Sequence, residues 1–393
     1  MELYIFSRDL EFEGIVDSYT SLIWTRRYSK CGEFELNIAL TTENLALLVR
    51  TNIIYKKDDS EAGVIIDRNI TQDTDGKEVL NLKGKFITGY LNSRITWGTK
   101  ILNTTSEITM RTLVSDNCIL PQDTKRIMNK LVLSPLKNYV DDINYQVSNK
   151  NLTDEIESLS VASNLGHRIN LDISNKQLIF EVYKGIDRSV NQEINPKIIF
   201  SKEFENIMEQ KYTDSFNNYK NVALVNGVYT YKQTYSVEVV NDDGSTTEEE
   251  KTEDVTVNQS VTIGDSNSGL DRYEIFVDGG DISSTGTNDA GEDITIDQQA
   301  SLDILTGKGN TELAQYVEVE AFDSTINLNS NLTYKIDFDL GDIVTIVSKK
   351  WNITLDSRIT EVEEVYEKEG KTINVTFGNN IPTILDKIKQ KLK

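Results

Sequence analysis

Few residues in this chain can carry acid–base or metal chemistry. The 393-residue sequence has a single histidine, His167, and two cysteines, Cys31 and Cys118. A Ser-His-Asp or Cys-His site would have to use His167, and a multi-histidine metal site is excluded. His167 follows Gly166 at a predicted helix end without a Ser, Cys or Asp motif, which favours a surface or capping histidine. The cysteines lack CxxC spacing and are predicted to be small buried or half-buried residues.

The carboxylates remain open to chemistry, but their spacing does not favour it. Glu363 and Glu364 are neighbours on a predicted strand, so they point to opposite faces and cannot flank one glycosidic bond. Residues 278–281 and 288–293 offer the oxygen ligands that Ca²⁺ prefers, yet neither segment has EF-hand or nonapeptide spacing. Both are therefore interpreted as solvated loops, and a hydrolase built from distant carboxylates stays as an alternative.

Two further patterns suggest ligand binding and are also interpreted structurally. Residues 306–310 are glycine-rich but lack the preceding strand and the spacing of a phosphate-binding loop. Trp24, Trp97 and Trp351 lie in β-rich segments and are predicted to be core or interface aromatics, not a sugar-stacking platform. The sequence accordingly predicts no catalytic, cofactor-binding or metal site, and no enzyme.

The formal charge is strongly negative and unevenly distributed. The chain has 41 basic and 63 acidic residues, which gives a net charge of −22. Counterion release to Lys and Arg drives nucleic-acid binding, so this composition disfavours a DNA or RNA binder. Residues 236–303 contain 18 of the acidic and 2 of the basic residues, a net charge of −16, and the remainder has 45 and 39, a net charge of −6.

The chain-wide pattern predicts a globular protein made in the cytoplasm. Its composition is 38% hydrophobic, enough for two to four domains at roughly 100–200 residues each. No apolar stretch approaches the ~18 residues of a membrane span. Residues 1–6 are interpreted as a first β-strand and not as a signal peptide.

The elements that must position these residues are mainly strands. Residues 1–100 show period-two alternation, clearest over 33–38, and a hairpin turn at Asp75-Gly76, which predicts a small antiparallel barrel or sandwich. A helix is predicted to begin at Thr104, where Thr104 and Glu107 have capping-box spacing. A second helix is predicted over 153–165 with Gly166 as its C-cap, followed by a hairpin over 169–183.

The second half returns to strands. Residues 229–240 predict a protruding β-ribbon with its tip at 241–244, and the acidic run 248–254 is interpreted as a solvated or disordered loop. Residues 278–293 are interpreted as a mobile loop, and helices are predicted over 298–305 and 311–316. A meander over 343–377 closes the fold, and the apolar face of residues 381–393 predicts a terminal helix.

Three stretches of this pattern resemble one family, the tail-tip and baseplate-hub proteins of phages and phage-tail-like particles of Gram-positive bacteria. The stretches are SLIWTRRY (21–28) with GEFEL (32–36), FNNYKNVALVNG (216–227) with GLDRYEIFVD (269–278), and residues 334–380 with DLGDIV at 339–344. The acidic ribbon around 236–263 departs from the family pattern.

The resemblance implies a mainly β fold in which two tube-type β-barrel domains carry a lateral α+β domain. The expected boundaries are a first barrel (1–100), the lateral domain (101–199), the start of the second barrel with the ribbon insertion (200–264), a loop and helical segment packing on the lateral domain (265–324), a meander completing the second barrel (325–380) and the terminal helix (381–393).

The resemblance also implies a function and partners. The expected role is a structural, trimeric adaptor in the virion that joins a hexameric tail tube or distal tail protein to a central spike or tip. The tape-measure protein is a further expected partner. DNA is expected to pass through a negatively charged lumen without specific binding, and the protein is not expected to insert into a membrane. The alternatives are a host cell-wall carbohydrate-binding or adhesion module and a peptidoglycan hydrolase. The sequence does not distinguish a siphophage, a contractile phage and a bacteriocin.

Overall fold

The computed structural model describes residues 1–72, 74–242, 244–264 and 266–378. Its N-terminal β unit forms because apolar side chains alternate with polar ones, as in the buried and half-buried alternation of Glu33–Ala39. The strands of this unit are β1 (Leu3–Phe6), β2 (Phe12–Val16), β3 (Ser21–Arg27), β4 (Glu33–Ala39), β5 (Ile53–Lys56), β6 (Ala62–Gln72) and β7 (Glu78–Phe86), with the short helix α1 (Thr42–Leu47) after β4.

The α+β unit follows and shares a core with one side of the N-terminal β unit, which contributes Phe6, Ile53 and Val64. Its elements are β8 (Thr99–Thr105), α2 (Ser106–Val114), β9 (Leu131–Leu133), β10 (Asp142–Ser148), α3 (Leu152–Ser163), β11 (Gly166–Asp172) and β12 (Gln177–Tyr183). Leu113, Ile156, Leu159 and Phe180 are among the side chains that fill this core. The two helices therefore bury apolar faces against the β11–β12 side of the unit.

The C-terminal half contains a second β unit and a long ribbon. Its elements are β13 (Ile199–Ser201), β14 (Ile207–Ser215), β15 (Val222–Val240), β16 (Thr246–Ile263), β17 (Glu274–Gly279), β18 (Thr285–Thr287), β19 (Asp293–Thr295), α4 (Gln298–Leu313), β20 (Val319–Ile326), β21 (Ile343–Ser348), β22 (Ile353–Glu367) and β23 (Gly370–Gly378). Antiparallel pairing of β15 with β16 makes the ribbon.

One sheet connects the two β units. Its strand order is β14-β20-β23-β22-β3-β4-β7-β6-β5-β1-β2, and β21 and β13 pair beside this path. The junction is the antiparallel pairing of β22 with β3, in which Glu364 lies opposite Trp24. Backbone hydrogen bonds therefore run without interruption from the N-terminal into the C-terminal unit, so the structure confirms a mainly β fold with an α+β unit.

The two predicted helix starts are close to the observed ones, but the caps differ. Thr105 caps α2 by accepting a hydrogen bond from the Ile108 amide at 3.3 Å. Asn151 caps α3 through the Thr153 and Asp154 amides at 2.9 and 3.2 Å. Asn164, with a φ of 57°, ends α3 in place of Gly166. Asn adopts this left-handed conformation more readily than most residues because its amide can bond locally.

Gly166 has a different role, in β11. A Cβ at this position would lie 2.5 Å from Cε2 of Tyr28, so only glycine allows the close approach of the strand to that ring. The sequence signal at Gly166 was interpreted as a helix end, whereas the structural requirement is tertiary packing.

Three predictions about the second half are corrected. The acidic run 248–254 is part of β16 and pairs with residues 232–238, so it is not a loop. Residues 278–293 include the end of β17, the whole of β18 and the first residue of β19, so they are not one continuous loop. The two predicted helices at 298–305 and 311–316 are one α-helix, Gln298–Leu313, followed by a 3₁₀ turn at Ala314–Tyr316.

The closing meander and the 75–76 turn are confirmed. Strands β21, β22 and β23 pair antiparallel in sequence order, and Gly76 has a φ of 79° between β6 and β7. The predicted helix over 381–393 lies outside the described residues. Within the part of the chain that is described, no helix has the length and apolar character needed to cross a membrane.

Candidate functional site

A buried group of charged side chains lies where the two β units meet. We define the ionic cluster as these side chains: Arg26, Lys56, Asp59, Glu61, Lys335, Asp339 and Glu364. Strand β3 supplies Arg26, the end of β5 and the turn after it supply Lys56 and Asp59, β22 supplies Glu364, and the loop before β21 supplies Lys335 and Asp339.

Arg26 joins both units through its guanidinium group. Its side chain is 2% exposed, and its Nε lies 3.1 Å from Oε2 of Glu61. Its Nη1 donates to Oδ1 of Asp339 at 2.8 Å and to the hydroxyl of Tyr334 at 2.8 Å. A buried guanidinium with several acceptors compensates part of its desolvation cost.

Lys56 makes the second connection. Its Nζ lies 2.8 Å from Oε1 of Glu364, and both side chains are almost fully buried. Lys335 reaches Oδ2 of Asp59 at 3.0 Å, and the same oxygen accepts a hydrogen bond from Nε1 of Trp24 at 3.1 Å. The cluster therefore links side chains of the first hundred residues to the closing meander at several independent points.

The electrostatics keep most of these groups charged. Burial by itself raises the pKa of Glu364, but Lys56, Lys335 and Lys371 outweigh it and bring the pKa to about 2. Burial likewise opposes ionisation of Asp59, yet Arg26, Lys335 and Lys56 hold its pKa below the usual range. Burial raises the pKa of Glu61, and Arg26 only partly offsets this.

This arrangement supports a structural role for the cluster. Glu364 and Asp59 are ionised, hydrogen-bonded and surrounded by fixed cations, whereas a general acid or base needs a pKa near the working pH and access to a substrate. Breaking a buried pair leaves an uncompensated charge, so the cluster fixes one arrangement of the two β units.

His167 lies in β11 and is 2% exposed, so the prediction of a surface or capping histidine is wrong. Its Nδ1 lies 3.2 Å from Oγ of Ser160, and its Nε2 has no hydrogen-bond partner among the described residues. Burial lowers the pKa of His167 to about 4. The ring is therefore neutral at pH 7 and enclosed in the core of the α+β unit.

The remaining candidate side chains are in structural positions. Glu363 and Glu364 point apart as predicted, since Glu363 accepts a hydrogen bond from Nδ2 of Asn374 at 3.0 Å while Glu364 lies in the ionic cluster. Cys118 is buried and Cys31 half-buried, as predicted, and burial raises the pKa of the Cys31 thiol to about 12. Neither thiol is activated as a nucleophile.

The three tryptophans differ in burial. Trp24 is fully buried and packs 4.6 Å from the Phe86 ring centroid, which confirms a core role. Trp97 is 51% exposed and lies under the Arg126 guanidinium at 4.1 Å. Trp351 is 40% exposed beside Phe322. Trp97 and Trp351 are thus partly exposed, and they lie in different parts of the fold.

The two acidic segments that could supply calcium ligands form ion pairs and hydrogen bonds within the chain. Asp281 pairs with Lys308 and lies 3.5 Å from Nζ of Lys150. Asn288 and Glu292 bond each other at 2.9 Å across the turn between β18 and β19. Among the residues that the structure describes, no group of three or more His, Cys, Asp or Glu side chains could hold a metal ion.

The glycine-rich segment 306–310 is inside α4, not in a loop. A Cβ at Gly307 would lie 2.0 Å from the carbonyl oxygen of Asn144, and one at Gly309 would lie 2.4 Å from Cδ1 of Ile263. These glycines let α4 approach β10 and the base of the ribbon closely. Glycine has a lower helix propensity than alanine, so this close contact has a cost in helix stability. The sequence pattern reflects packing and not phosphate binding.

The ribbon is the largest exposed feature. Strand β17 pairs with β15 only over Val222–Gly227, and Tyr229 is still buried against the Ile296 carbonyl, so residues 230–240 project with β16, at ~3.3 Å per residue, for about 35 Å. Cross-strand hydroxyl pairs support it, with Thr230 and Thr256 Oγ1 atoms 3.0 Å apart and those of Thr234 and Thr252 3.1 Å apart. Along β16, successive acidic side chains such as Glu248 and Glu249 point to opposite faces of the ribbon.

Sequence reasoning missed the ionic cluster. Lys56 and Glu364 are separated by 308 positions, and neither has a local pattern that marks it as buried. One sequence feature does indicate a buried charge. Arg26 and Arg27 follow the apolar residues of a predicted strand, and one of two successive side chains in a strand faces the core.

A family model described as Siphovirus ReqiPepy6 Gp37-like protein matches residues 2–379. A comparison with curated protein sequences finds no match.

Solved structures of three prophage or bacterial tail proteins have a similar fold along nearly their whole length. The 43 kDa tail protein of prophage MuSo2 from Shewanella oneidensis is 9% identical with a TM-score of 0.52, covering 96% of this chain and 98% of that chain. Prophage tail protein gp18 of Listeria monocytogenes EGD-e is 13% identical with a TM-score of 0.51, covering 100% and 98%. A tail protein of Neisseria meningitidis MC58 is 9% identical with a TM-score of 0.53, covering 96% of each chain.

Proposed function

The chain belongs to the Siphovirus ReqiPepy6 Gp37-like protein family, and from this we propose that it is a structural protein of a phage tail, the hub of the baseplate or tail tip. In this role three copies form a ring in the virion that joins the hexameric tail tube or distal tail protein to a central spike or tip. The tape-measure protein ends at the same ring. The chain performs no reaction and needs no cofactor.

The observation that carries the proposal is a fold shared with two prophage tail proteins and a tail protein of Neisseria meningitidis over 96–100% of this chain. Two β units in one chain, joined by a continuous sheet, suit a threefold ring under a sixfold tube, since three chains then supply six units. We assign the first tube-type barrel to residues 1–100 and the second to 200–264 with 325–380, beside the lateral domain 101–199 and its packing segment 265–324.

Two sheet edges that have no neighbouring strand in the described part of the chain support ring formation. Strands β14 and β2 are the two ends of the main sheet path, and β2 exposes Phe12 and Ile15. An exposed apolar edge strand is otherwise a site of aggregation, so a neighbouring chain is expected to cover it. Pairing of β2 in one copy with β14 in the next is a head-to-tail contact, which closes a ring at the correct rotation.

The charge distribution supports a DNA conduit without specific binding. A wall rich in Lys and Arg would retain phosphates, whereas a negative wall lets a duplex pass. We expect the lumen to have a negative potential, and a strongly positive bore in a particle reconstruction would contradict this part of the proposal. The ring is not expected to insert into a membrane.

Purified particles provide the test. Quantitative mass spectrometry should give three copies of this chain per particle, and antibody labelling should place it at the distal end of the tail tube. A different stoichiometry, or a position along the tube, in the capsid or outside the particle, would overturn the hub assignment. A zymogram on cell-wall material tests the absence of activity, and clear lysis would overturn it.

One observation favours the second candidate, adhesion to host cell-wall carbohydrate. Phe216 and Tyr273 have nearly parallel rings 6.5 Å apart, Tyr219 lies edge-on to both, and Phe216 and Tyr273 are at least 40% exposed. Exposed aromatic faces are available for stacking on a ligand. Retention of the purified chain on cell-wall fragments, lost in Phe216→Ala with Tyr273→Ala, would support adhesion over the hub role.

A further inference from the structure

The N-terminal β unit of this acidic protein contains an open pocket with a basic rim. The cavity has a volume of about 650 Å³ and lies between the loop after α1, strand β6, the end of β7 and the residues that follow it. Its floor is apolar, formed by Ile65, Phe86 and neighbouring side chains. Arg50, Arg68 and Lys85 line it, and we call these residues with Ile66 the basic pocket.

The cations of the basic pocket are only partly satisfied by their own chain. Lys85 pairs with Glu33, but Arg50 is exposed and has no ion pair within the described ranges. Arg68 donates from Nη2 to the Leu45 carbonyl at 2.9 Å, while its Nε is buried without an acceptor among the described residues. The exposed Arg50 guanidinium can bind an incoming carboxylate, because charge-assisted bonds are stronger than bonds between neutral groups.

The ribbon has the complementary surface. Residues directly opposite in an antiparallel pair share a face, and so do residues two positions apart. Glu238 lies opposite Glu248, Ser236 opposite Glu250 and Val240 opposite Thr246. One face near the tip therefore has Glu238, Glu248 and Glu250 around Val240, which is 72% exposed, and we call these four residues the acidic face.

The acidic face is destabilising for an isolated chain. Like charges directly opposite each other, as in Glu238 and Glu248, oppose strand pairing. All of Thr246–Asp254 is exposed, so this part of the ribbon does not pack on the other residues that the structure describes. A cationic partner surface would remove the repulsion and cover Val240.

We propose that the acidic face of one copy docks in the basic pocket of a neighbouring copy of the same chain. Three carboxylates around an exposed valine meet three cations around Ile66, which is 48% exposed. The ~35 Å projection of the ribbon gives it the reach to leave its own subunit. The inference rests on the proposed function because it needs adjacent copies of the chain. It identifies the ribbon as the segment that connects these copies.

Interchain cross-linking tests the contact directly. Full-length chains with Ile66→Cys and chains with Val240→Cys, carrying different tags, are mixed, oxidised and pulled down by one tag. We expect an interchain disulfide between the two tagged chains, and only background from Ile66→Cys mixed with Leu270→Cys, since Leu270 is 94% exposed but outside the acidic face. A chain that stays monomeric at every concentration, absence of a disulfide between the two tagged chains, or equal cross-linking of the control would overturn the proposal.

A charge exchange tests specificity. We expect Arg50→Glu, or Glu248→Lys with Glu250→Lys, to raise the dissociation constant of self-association about ten-fold or more, and the combined variant to recover most of it. Lys368→Glu and Asp289→Lys, at exposed turns, are the matched controls and should leave it unchanged. If Arg50→Glu and the double lysine variant both fold but the combined variant does not recover self-association, the proposed contact is wrong. A particle stoichiometry other than three would defeat the hub role while leaving the cross-link intact.

Discussion

Nζ of Lys56 lies 2.8 Å from Oε1 of Glu364, inside the protein, although 308 positions separate the two residues in the chain. This pair joins the end of β5 in the N-terminal unit to β22 in the closing meander. Buried charge therefore connects the N-terminal β unit to the closing meander, in addition to the sheet that the two share.

Removing Lys56 should destabilise the protein strongly. Lys56→Met leaves Glu364 buried with fewer cations, and we expect the free energy of unfolding to fall by about 3 kcal/mol. Urea denaturation measures it. The matched control is Lys83→Met, which removes an exposed pair with Glu35 and should cost less than about 1 kcal/mol. Equal losses in the two variants would mean that the ionic cluster contributes no more than a surface pair.

His167 should make stability depend on pH in a defined window. Its pKa is about 4 in the folded protein, below the usual 6.5, so the unfolded chain binds a proton first as the pH falls. Stability is unaffected by this group above pH 6.5 and decreases between pH 6.5 and 4, by about 3 kcal/mol in total. Unfolding measured at pH 4, 5, 6 and 7 should show a steeper loss for the native sequence than for His167→Met. Parallel curves would contradict the buried neutral imidazole.

Glu364 should add a second loss at lower pH. Its pKa of about 2 is below the usual 4.5, so its ionised form stabilises the fold above pH 4.5 and this contribution disappears as the pH falls towards 2. Glu364→Gln should flatten the stability curve below pH 4.5 without changing the part that His167 controls. The same unfolding series, extended to pH 2.5, separates the two groups, and a flattening above pH 5 instead would point to another carboxylate.

Replacing Gly307 should destabilise α4 although alanine is the better helix former. The new Cβ would meet the Asn144 carbonyl at 2.0 Å, and we expect the thermal midpoint to drop by an amount equivalent to about 1–3 kcal/mol. Asn310→Ala, on the exposed side of the same helix, is the control and should be neutral or slightly stabilising. A stabilising Gly307→Ala would show that α4 is farther from β10 than described.

Shortening the ribbon should leave the rest of the fold intact. Replacing residues 233–253 with Asn-Gly joins Lys232 to its cross-strand partner Asp254 through a two-residue turn. Because the removed segment is exposed, we expect little change in the free energy of unfolding, within about 0.5 kcal/mol. Circular dichroism and a thermal melt check it, and loss of cooperative unfolding would show that the ribbon supports the core.

Local sequence determined much of this protein. Period-two alternation gave β4 and the meander β21–β23 close to their observed limits, because one face of each strand is buried and the other is not. The start of α2 was placed within two residues of the observed one, since a capping hydroxyl acts on the next turn only. The concentration of acidity in 236–303 was likewise visible without a structure.

Tertiary structure decided the rest, because burial and charge pairing depend on residues far apart in the chain. Whether His167 is exposed, why Gly166 and Gly307 are glycines, and whether Glu364 is paired are all set by neighbours that arrive from other strands. The acidic run 248–254 is a strand only because residues 232–238 lie beside it. Local patterns fix periodicity and turns, whereas the free energy of a buried charge is set by the distances that only the folded chain creates.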